Sequence, residues 1–282
     1  MRQGTIVEEI FFEGIGIHSG LSSKVVLHPE RENTGIRFLK DGVIVPARIE
    51  FVINTDHSTD LGKKGVLIKT VEHLMAVLYM LGVDNLTVEL IEGFELPILD
   101  GSGYGFYKLL KDRVLLLNEE RQNIELKERI QVKNCSAYIQ AVPYDTFSAS
   151  YTGSVKGFFE NRTVKFKGNI KDVVHARTFC YDYEVEHLFK RGLARGGSLK
   201  NAVVLGNGFV YNKGGLRSHD EPLRHKLLDL IGDIALLGKI IKGHVMSYMG
   251  GHGLNYEFLK HLSQTMGSFS KTVLISSSVS TP

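Results

Sequence analysis

One predicted helix constrains the fold of this chain more than any other segment, because residues 221–237 are apolar on most sides of the helix. On a helical wheel of about 100° per residue, one broad face carries large aliphatic side chains: Leu223, Leu227, Leu230, Ile231, Ile234 and Leu237. The opposite arc, where solvent contact would be expected, carries small and apolar residues: Leu228, Gly232, Ala235 and Leu236. A helix of this kind is packed on nearly all sides, so we expect it at the centre of the protein.

A narrow polar stripe interrupts this helix. It consists of His225, Lys226, Asp229 and Asp233. Buried polar groups destabilise a fold unless they are paired. His225 and Asp229 are four residues apart and can bind one metal ion, although an ordinary ion pair within the helix fits the same spacing. A metal site therefore requires a third ligand from another element.

A second helix, predicted over residues 70–81 and ended by Gly82, offers that ligand. After its first turn it is apolar all round, which predicts burial. Thr70 is expected to cap its N-terminus, and the helix dipole favours Glu72 there. The same dipole disfavours a protonated His73, so this imidazole should be neutral, the form that binds metals. Capping alone accounts for Thr70 and Glu72, but it gives no reason for a buried histidine.

His73, His225 and Asp229 together form a set of two histidines and one carboxylate. Three protein ligands with an open fourth position are typical of catalytic zinc, whereas structural zinc has four. No cysteine has the spacing of a structural site. The sequence therefore predicts a catalytic zinc site, and Fe²⁺ can replace Zn²⁺ in such a ligand set.

Composition narrows the class of protein. The 282 residues are 43% hydrophobic and 23% charged, as in a typical globular chain. The formal net charge of +3 is too small to predict a protein that binds nucleic acid. Cys135 and Cys180 are expected to be reduced, mostly buried thiols. Neither a signal peptide nor a membrane span is predicted, so we expect a cytoplasmic protein and a monomer.

The remaining segments favour an α+β fold. Further helices are predicted over residues 104–110 and 182–191, and strands over residues 5–12, 23–28, 35–38, 43–49, 85–91, 130–132, 137–141, 147–151, 202–205 and 245–249. A charged stretch around residues 115–128 predicts a boundary between two domains, residues 1–122 and 123–282. Both halves run from a histidine through an apolar helix to a glycine and a strand, so we expect them to be similarly built, with chance similarity as the alternative. Residues 276–282 are predicted to be disordered.

Five short motifs follow one another along the chain: TVEH (70–73), PILDGS (97–102), RTFC (177–180), RHKLLDLIGD (224–233) and GGHGLN (250–255). In this order they resemble the motifs of the UDP-3-O-acyl-N-acetylglucosamine deacetylase family. The set is highly specific and spans nearly the whole chain, although TVEH alone is not specific. The segments FEGIGIHSG (12–20) and HSTDL (57–61) also look like this family.

The resemblance implies both a fold and an activity. The family catalyses the committed step of lipid A synthesis in Gram-negative bacteria, a hydrolysis that releases acetate from UDP-3-O-acyl-N-acetylglucosamine. The implied fold is two similar α/β-layered domains packed helix to helix, each with a small insert and with zinc at their interface. The expected protein is therefore a metal-dependent amidohydrolase whose partner is its UDP-acyl-glucosamine substrate.

The resemblance also assigns roles to single residues. It implies three zinc ligands: His73, His225 and Asp229. Glu72 is the implied general base that deprotonates the attacking water. His252 is the implied general acid and partner of the oxyanion, and Asp233 orients it. Either His252 or protonated Glu72 could give the leaving amine its proton.

Other implied positions concern the substrate. Lys226 and Thr178 would contribute to the polar pocket around the reacting carbonyl. Phe179 and the loop of residues 193–201 would belong to an insert, at about residues 178–205, that shapes the passage for the acyl chain. The remaining candidate substrate contacts are His18, His57, Leu193 and Lys200.

Two other interpretations stay open. The chain could be a zinc amidase with a different substrate, such as a peptidase, although the lack of H-E-x-x-H argues against the common version. It could also be a metal-stabilised binding module for a lipid or a nucleotide sugar, which would release no acetate. Without the family motifs, His252 fits a turn residue after two glycines, and Asp233 fits a carboxylate on a helix surface.

Overall fold

The computed structural model describes the backbone of residues 1–275 and the side chains of residues 1–265. The first half contains the strands β1 Arg2–Ile6, β2 Ile10–Ile15, β3 Ser22–Pro29, β4 Ile36–Lys40, β5 Val43–Pro46, β6 Val52–Asn54, β7 Asp60–Lys63, β8 Val66–Ile68, β9 Leu86–Glu92 and β10 Val114–Glu120. Its helices are α1 Glu72–Leu81 and α2 Tyr104–Leu110, and a 3₁₀ turn covers Ile49–Phe51.

The second half is also a mixture of strands and helices. Its strands are β11 Asn123–Glu125, β12 Ile130–Asn134, β13 Ala137–Pro143, β14 Phe147–Val155, β15 Phe159–Phe166, β16 Phe179–Tyr181, β17 Val203–Leu205 and β18 Ile240–Tyr248. Its helices are α3 Asp182–Lys190, α4 Glu221–Ala235 and α5 His252–Ile275, and a second 3₁₀ turn covers Ile170–Asp172. The mixed composition of elements agrees with the predicted α+β class.

Two large sheets share one strand order. In the first, β2-β3-β9-β4-β5, the central strand β9 runs antiparallel to β3 and parallel to β4. In the second, β12-β13-β18-β14-β15, the central strand β18 runs antiparallel to β13 and parallel to β14. In both sheets the outer strands complete antiparallel hairpins. The two large sheets therefore match in strand order and in the direction of each neighbouring pair.

The helices that precede the two central strands, α1 and α4, pack against each other. The side chains of α4 also pack on β14 and β15. Every second residue of the strands is buried, as at Val25 and Leu27 of β3. One face of each sheet is therefore apolar, and it packs with both helices in one continuous core. Burying each large aliphatic side chain of this core contributes about 1.5–3 kcal/mol, so the predicted central position of α4 is explained by its apolar surface.

The ends of the two helices follow ordinary sequence signals. Gly82 stops α1 in the left-handed conformation at φ 76°, as its position after the apolar run predicts. Pro222 lies in the first turn of α4, where its missing N–H leaves no hydrogen bond unmade. The two helices cross at Gly232, where a Cβ atom would lie 2.1 Å from the carbonyl oxygen of Glu72. Glycine is therefore required for the close approach of α1 to α4.

Each half also carries a small extra sheet. In the first half, β6, β7 and β8 form an antiparallel sheet just before α1. In the second half, β16 and β17 pair in parallel around α3. The loop after α3 reaches the first half, where the Gly196 amide donates to the Ile17 carbonyl at 3.0 Å.

The structure differs from the predicted elements in a few places. The single strand predicted over residues 5–12 is two strands, β1 and β2, which pair in different sheets and are separated by a bend. The charged stretch of residues 115–128 contains β10 and β11 rather than a bare linker. Its polar sequence resembles a linker because β10 is an exposed strand, which among the described residues pairs with β1 alone. The edge strand β15 was not predicted, since most of its residues face solvent. The long helix α5 was not predicted either.

Two further predictions concern single residues and the C-terminus. Cys135 is exposed, at a left-handed position in the turn between β12 and β13, so the prediction of mostly buried thiols is wrong for it. Cys180 is half-buried. The disorder predicted for residues 276–282 concerns a segment outside the described residues. Within the described part of the chain, no helix combines the length and the apolar character needed to cross a membrane.

Candidate active site

Three side chains that could hold a metal ion meet where α1 and α4 cross. His73 comes from the first turn of α1, whereas His225 and Asp229 come from successive turns of α4. All three are buried, and their ligand atoms lie within 4.8 Å of one another. The structure therefore brings together the three residues that the sequence predicts as metal ligands.

Both imidazoles present Nε2 to the same carboxylate oxygen. Asp229 Oδ1 lies 3.3 Å from His225 Nε2 and 3.6 Å from His73 Nε2. The two rings meet edge to face with their centroids 4.9 Å apart. His225 Nδ1 lies 3.0 Å from the Ala176 carbonyl oxygen, so it donates there and leaves the Nε2 lone pair directed at the cluster.

Two features of the cluster favour binding of a divalent cation: an unsatisfied buried ligand atom, and neutral imidazole next to a negatively charged carboxylate. Among the residues whose side chains the structure describes, Asp229 Oδ1, which faces both imidazoles, is buried without a hydrogen-bond partner, which is unfavourable without a ligand. Burial lowers the pKa of His225 to about 4, so its imidazole is neutral. Neutral imidazole and carboxylate are a ligand set suited to zinc or iron.

Glu72 lies directly before His73 in the first turn of α1 and is buried. Burial raises the pKa of Glu72 to about 7, although the nearby His252 and His73 act in the opposite direction. One of its carboxylate oxygens accepts a hydrogen bond from the Thr59 amide at 3.0 Å. A carboxylate with a pKa near neutrality can accept a proton from water and release it again.

His252 approaches the cluster from the start of α5. Its Nδ1 lies 2.8 Å from Asp233 Oδ2, and its Nε2 lies 3.8 Å from Asp229 Oδ2. Burial alone would lower the pKa of His252, but the Asp233 carboxylate outweighs this effect and raises the pKa to about 9. Both His252 and Asp233 are buried, so the alternatives of a turn histidine and a carboxylate on a helix surface are wrong.

Lys226 binds the other oxygen of Asp229. Its ammonium group donates to Asp229 Oδ2 at 2.9 Å. Burial acts to lower the pKa of Lys226, but Asp229 outweighs it and raises the pKa above its ordinary value. Burial in turn acts to raise the pKa of Asp229, and His225 and Lys226 more than reverse it, so that pKa is lowered well below its ordinary value. The lysine and the carboxylate are therefore both charged.

A cavity of about 480 Å³ opens at the cluster. Its polar end is lined by Glu72, His73, Thr178, His225, Lys226, Asp229 and His252. Its apolar walls come from α3, β16, β17 and the loop after α3, through Phe179, Val185, Leu188, Phe189, Leu199 and Val204. A space with one reactive polar end and long apolar walls suits a molecule with a polar head and a hydrocarbon chain.

The predicted substrate residues divide into two groups. His18, His57, Thr178 and Phe179 line the cavity, with burial lowering the pKa of both His18 and His57. Leu193 and Lys200 do not line it, and other residues of the same loop do: Ala194, Gly197, Ser198 and Leu199. Lys200 is exposed, and the Leu193 amide closes the end of α3 by donating to the Leu188 carbonyl.

Some residues of the site were not predicted. Val185, Leu188 and Phe189 follow the i, i+3, i+4 spacing of an apolar helix face, and this spacing within the predicted helix of residues 182–191 was the available signal. Thr70 is not the N-cap of α1, because the helix begins at Glu72 without a side-chain cap. Its backbone is left-handed at φ 60°, and its hydroxyl donates to Glu95 Oε1 at 2.9 Å.

These groups define a class of site. A buried cluster of two histidines and one aspartate, next to a carboxylate that can exchange a proton and a protonated imidazole, can perform metal-assisted hydrolysis. Comparison with protein families specifies the class further. The model of the LpxC family, described as UDP-3-O-acyl N-acetylglycosamine deacetylase, matches residues 3–264.

Curated proteins give the same result. The UDP-3-O-acyl-N-acetylglucosamine deacetylase of Aquifex aeolicus is 50% identical over 261 residues, which cover 92% of either chain. The protein of the same name from Wolinella succinogenes is 38% identical over 95% of this chain and 93% of its own. That from Oleidesulfovibrio alaskensis is 40% identical over 98% of this chain and 93% of its own. The chain belongs to the UDP-3-O-acyl-N-acetylglucosamine deacetylase family.

Proposed function

We propose that this chain hydrolyses the acetamide of UDP-3-O-acyl-N-acetylglucosamine, releasing acetate for the committed step of lipid A synthesis. The observation that carries the proposal is the position of the Glu72 carboxylate and the His252 imidazole at the buried His73, His225 and Asp229 cluster. The three relatives are all named UDP-3-O-acyl-N-acetylglucosamine deacetylase, which supports the choice of substrate.

The proposed metal is zinc, held by His73, His225 and Asp229. When bound, zinc would polarise the amide carbonyl and lower the pKa of the attacking water to about 7. Fe²⁺ suits the same two imidazoles and one carboxylate, so the proposal includes iron as an alternative native metal.

Glu72 is the proposed general base. Its Oε2 accepts the Thr59 amide hydrogen bond, which holds the carboxylate in place. The carboxylate takes one proton from the attacking water while the water oxygen bonds to the carbonyl carbon. A positioned base of this kind contributes about 10²- to 10⁴-fold in rate.

The carbonyl oxygen gains negative charge in this step and requires hydrogen-bond donors. Lys226 Nζ, the Thr178 hydroxyl and His252 Nε2–H are the proposed donors, and all three residues line the polar end of the cavity. Asp233 accepts from His252 Nδ1, so the proton on this imidazole that faces the cavity is on Nε2. Donors oriented before the reaction stabilise the developing charge without further reorganisation.

Cleavage of the C–N bond then leaves an amine that requires a proton. Two groups hold one at that stage: His252, which is protonated from the outset, and Glu72, which has taken one from water. Transfer of a proton from either group to the amine completes the reaction, and the products are acetate and the free amine. The acyl chain would lie along the apolar walls formed by α3 and its neighbouring loop.

We also propose that the chain is organised in two domains, residues 1–122 and 123–282, with the metal site at their interface. The matching strand orders of the two large sheets support this division. The proposed boundary falls between β10, which pairs with β1, and β11, which pairs with β18. Residues about 178–205 would form the insert for the acyl passage, on the evidence of the cavity walls.

The proposed activity is tested by incubating the purified chain with UDP-3-O-acyl-N-acetylglucosamine and measuring acetate and free amine. We expect equal amounts of both. The variant Glu72→Gln should keep its metal and lose about 10²-fold or more in turnover, whereas Glu257→Gln, the same change on the exposed side of α5, should behave as wild type. Substrate binding without acetate release would instead identify a binding module and overturn the proposal.

A further inference from the structure

Thr59, which precedes β7, touches three parts of the site although it does not line the cavity. Its amide donates to Glu72 Oε2 at 3.0 Å, and its carbonyl accepts from the Val71 amide at 3.1 Å. Its hydroxyl lies 2.6 Å from Asp233 Oδ1. Only 2% of Thr59 is exposed, so water cannot replace any of these contacts without moving the chain.

Asp233 is the residue through which the Thr59 hydroxyl acts. Asp233 Oδ2 accepts from His252 Nδ1 at 2.8 Å and from Asn255 Nδ2 at 2.7 Å, while Oδ1 accepts from Thr59. The Thr59 hydroxyl oxygen is also 3.2 Å from His252 Nδ1. A buried carboxylate with donors on both oxygens has one orientation, and loss of a donor leaves it free to rotate.

We propose that Thr59 is a positioning residue that fixes Glu72 on one side and the Asp233–His252 pair on the other. Its backbone amide holds Glu72 against the start of α1, and its hydroxyl locks Asp233 on α4. One residue of the loop between β6 and β7 thus sets the relative positions of groups from α1, α4 and α5. This inference rests on the proposed function, because it assigns Thr59 a part in that reaction.

The side chain of threonine suits this position. It is β-branched, so its χ1 angle is restricted and the hydroxyl is held in direction by the methyl group. Valine has the same shape without the hydroxyl, and serine keeps the hydroxyl without the methyl group. Because Thr59 interacts with Glu72 through its backbone, both substitutions leave that contact available. Thr59→Val then tests the hydroxyl, and Thr59→Ser tests the methyl group.

The test compares Thr59→Val and Thr59→Ser with wild type in metal content, thermal unfolding, kcat and KM. Loss of a buried donor to a charged group is expected to lower kcat of Thr59→Val by about 10- to 100-fold. KM and metal content should change by less than about 3-fold, because Thr59 reaches neither the cavity nor a ligand. Thr59→Ser should recover kcat to within about 3-fold of wild type.

Ser58→Ala is the matched control. Ser58 is its neighbour, is fully buried and donates its hydroxyl to Asp60 Oδ1 at 2.8 Å. This variant loses a comparable hydrogen bond to a carboxylate outside the Asp233 group, so it should lose stability while kcat of the folded enzyme stays within about 3-fold.

Three outcomes would overturn the inference. The first is a Thr59→Val enzyme with wild-type kcat. The second is a Thr59→Ser enzyme as slow as Thr59→Val, which would attribute the effect to packing. The third is an equal loss of kcat in Ser58→Ala, which would show a general effect of loosening this loop. Failure of the proposed function is distinguishable, since wild type itself would then release no acetate.

Discussion

The two halves of the molecule share a strand order but use their central helices differently. In the first half α1 contributes its N-terminal turn, where Glu72 and His73 precede an otherwise apolar helix. In the second half α4 contributes its middle, where His225, Asp229 and Asp233 occupy successive turns. Because α1 begins at the point where α4 can be approached most closely, a symmetrical scaffold produces an asymmetrical site. The position of the reactive side chains therefore depends on where α1 and α4 cross, and not on the strand order of the two sheets.

The halves also differ in how they stabilise a buried carboxylate. Glu95, in the first half, is 1% exposed and accepts from the His18 and Ser19 amides and from the Thr70 hydroxyl. Glu221, in the second half, is also 1% exposed and accepts from the Arg177 and Arg217 amides, but it pairs in addition with the guanidinium of Arg177, at 2.8 and 3.0 Å. Glu95 is thus held by neutral donors, whereas Glu221 combines neutral donors with an ion pair to one residue.

The largest effect is expected from removing one ligand from either half. His73→Ala and His225→Ala should each lose bound metal, because two remaining ligands hold a divalent cation poorly. Metal analysis after dialysis measures this, and circular dichroism checks that the variants fold. If either variant retained one equivalent of metal, the histidine removed in that variant would not be required for metal binding.

The second test concerns the crossing of the helices. Gly232→Ala places a Cβ atom 2.1 Å from the Glu72 carbonyl oxygen, so α1 and α4 must separate. We expect a stability loss of about 1–3 kcal/mol and a loss of turnover of about 100-fold, the effect of moving groups by about 1 Å. Urea unfolding and steady-state kinetics measure the two.

Gly253→Ala is the control for this variant, since it puts the same methyl group into a helix where the nearest atom would be 3.7 Å away. Its stability should be unchanged or about 0.5–1 kcal/mol higher, as alanine favours a helix. Equal behaviour of the two alanine variants would remove the argument for a glycine at the crossing.

The third test compares the two buried carboxylates. Arg177→Met removes the cationic partner of Glu221, leaves the backbone amides of residues 177 and 217 as donors, and should lower the free energy of unfolding by about 3–5 kcal/mol. Thr70→Val removes one of three donors to Glu95 and should lower it by about 1–2 kcal/mol. Denaturant unfolding of both variants gives the difference. A larger loss for Thr70→Val would reverse the proposed contrast.

The smallest effect is a pH dependence of opposite sign on the two large sheets. Burial acts to lower the pKa of His28, but its hydrogen bonds to Glu9 and Glu89 outweigh it and raise the pKa. Burial lowers the pKa of His244, with Lys165 and Lys167 acting in the same direction. His28 therefore stabilises the fold below about pH 6.5 and loses this effect as pH rises through its folded pKa. His244 has the reverse effect, because the unfolded state takes up its proton first as pH falls.

Unfolding of His28→Gln and His244→Gln at pH 5.5 and pH 8.5 measures this contrast. Relative to wild type, His28→Gln should be less stable at the lower pH by about 0.5–1 kcal/mol. His244→Gln should instead gain relative stability at the lower pH. The same trend in both variants would contradict the assigned partners.

The sequence alone determined the elements that carry local signals. The apolar surface of α4, its polar stripe and the glycine after α1 predicted two buried helices, and the spacing of His225 and Asp229 predicted a ligand pair. These signals are strong because each involves residues within a few turns of one helix, where position along the chain sets direction in space.

Tertiary structure decided what joins distant segments. It brought His73 to His225 and Asp229, placed Thr59 between Glu72 and Asp233, and put Ala194 rather than Leu193 at the cavity wall. Periodicity within one element says nothing about its neighbours, so these contacts could not be predicted from spacing. The close approach of α1 to α4 arises because two helices that bury nearly all of their surface meet at Gly232, a residue without a side chain, and this approach brings His73 to the two ligands on α4.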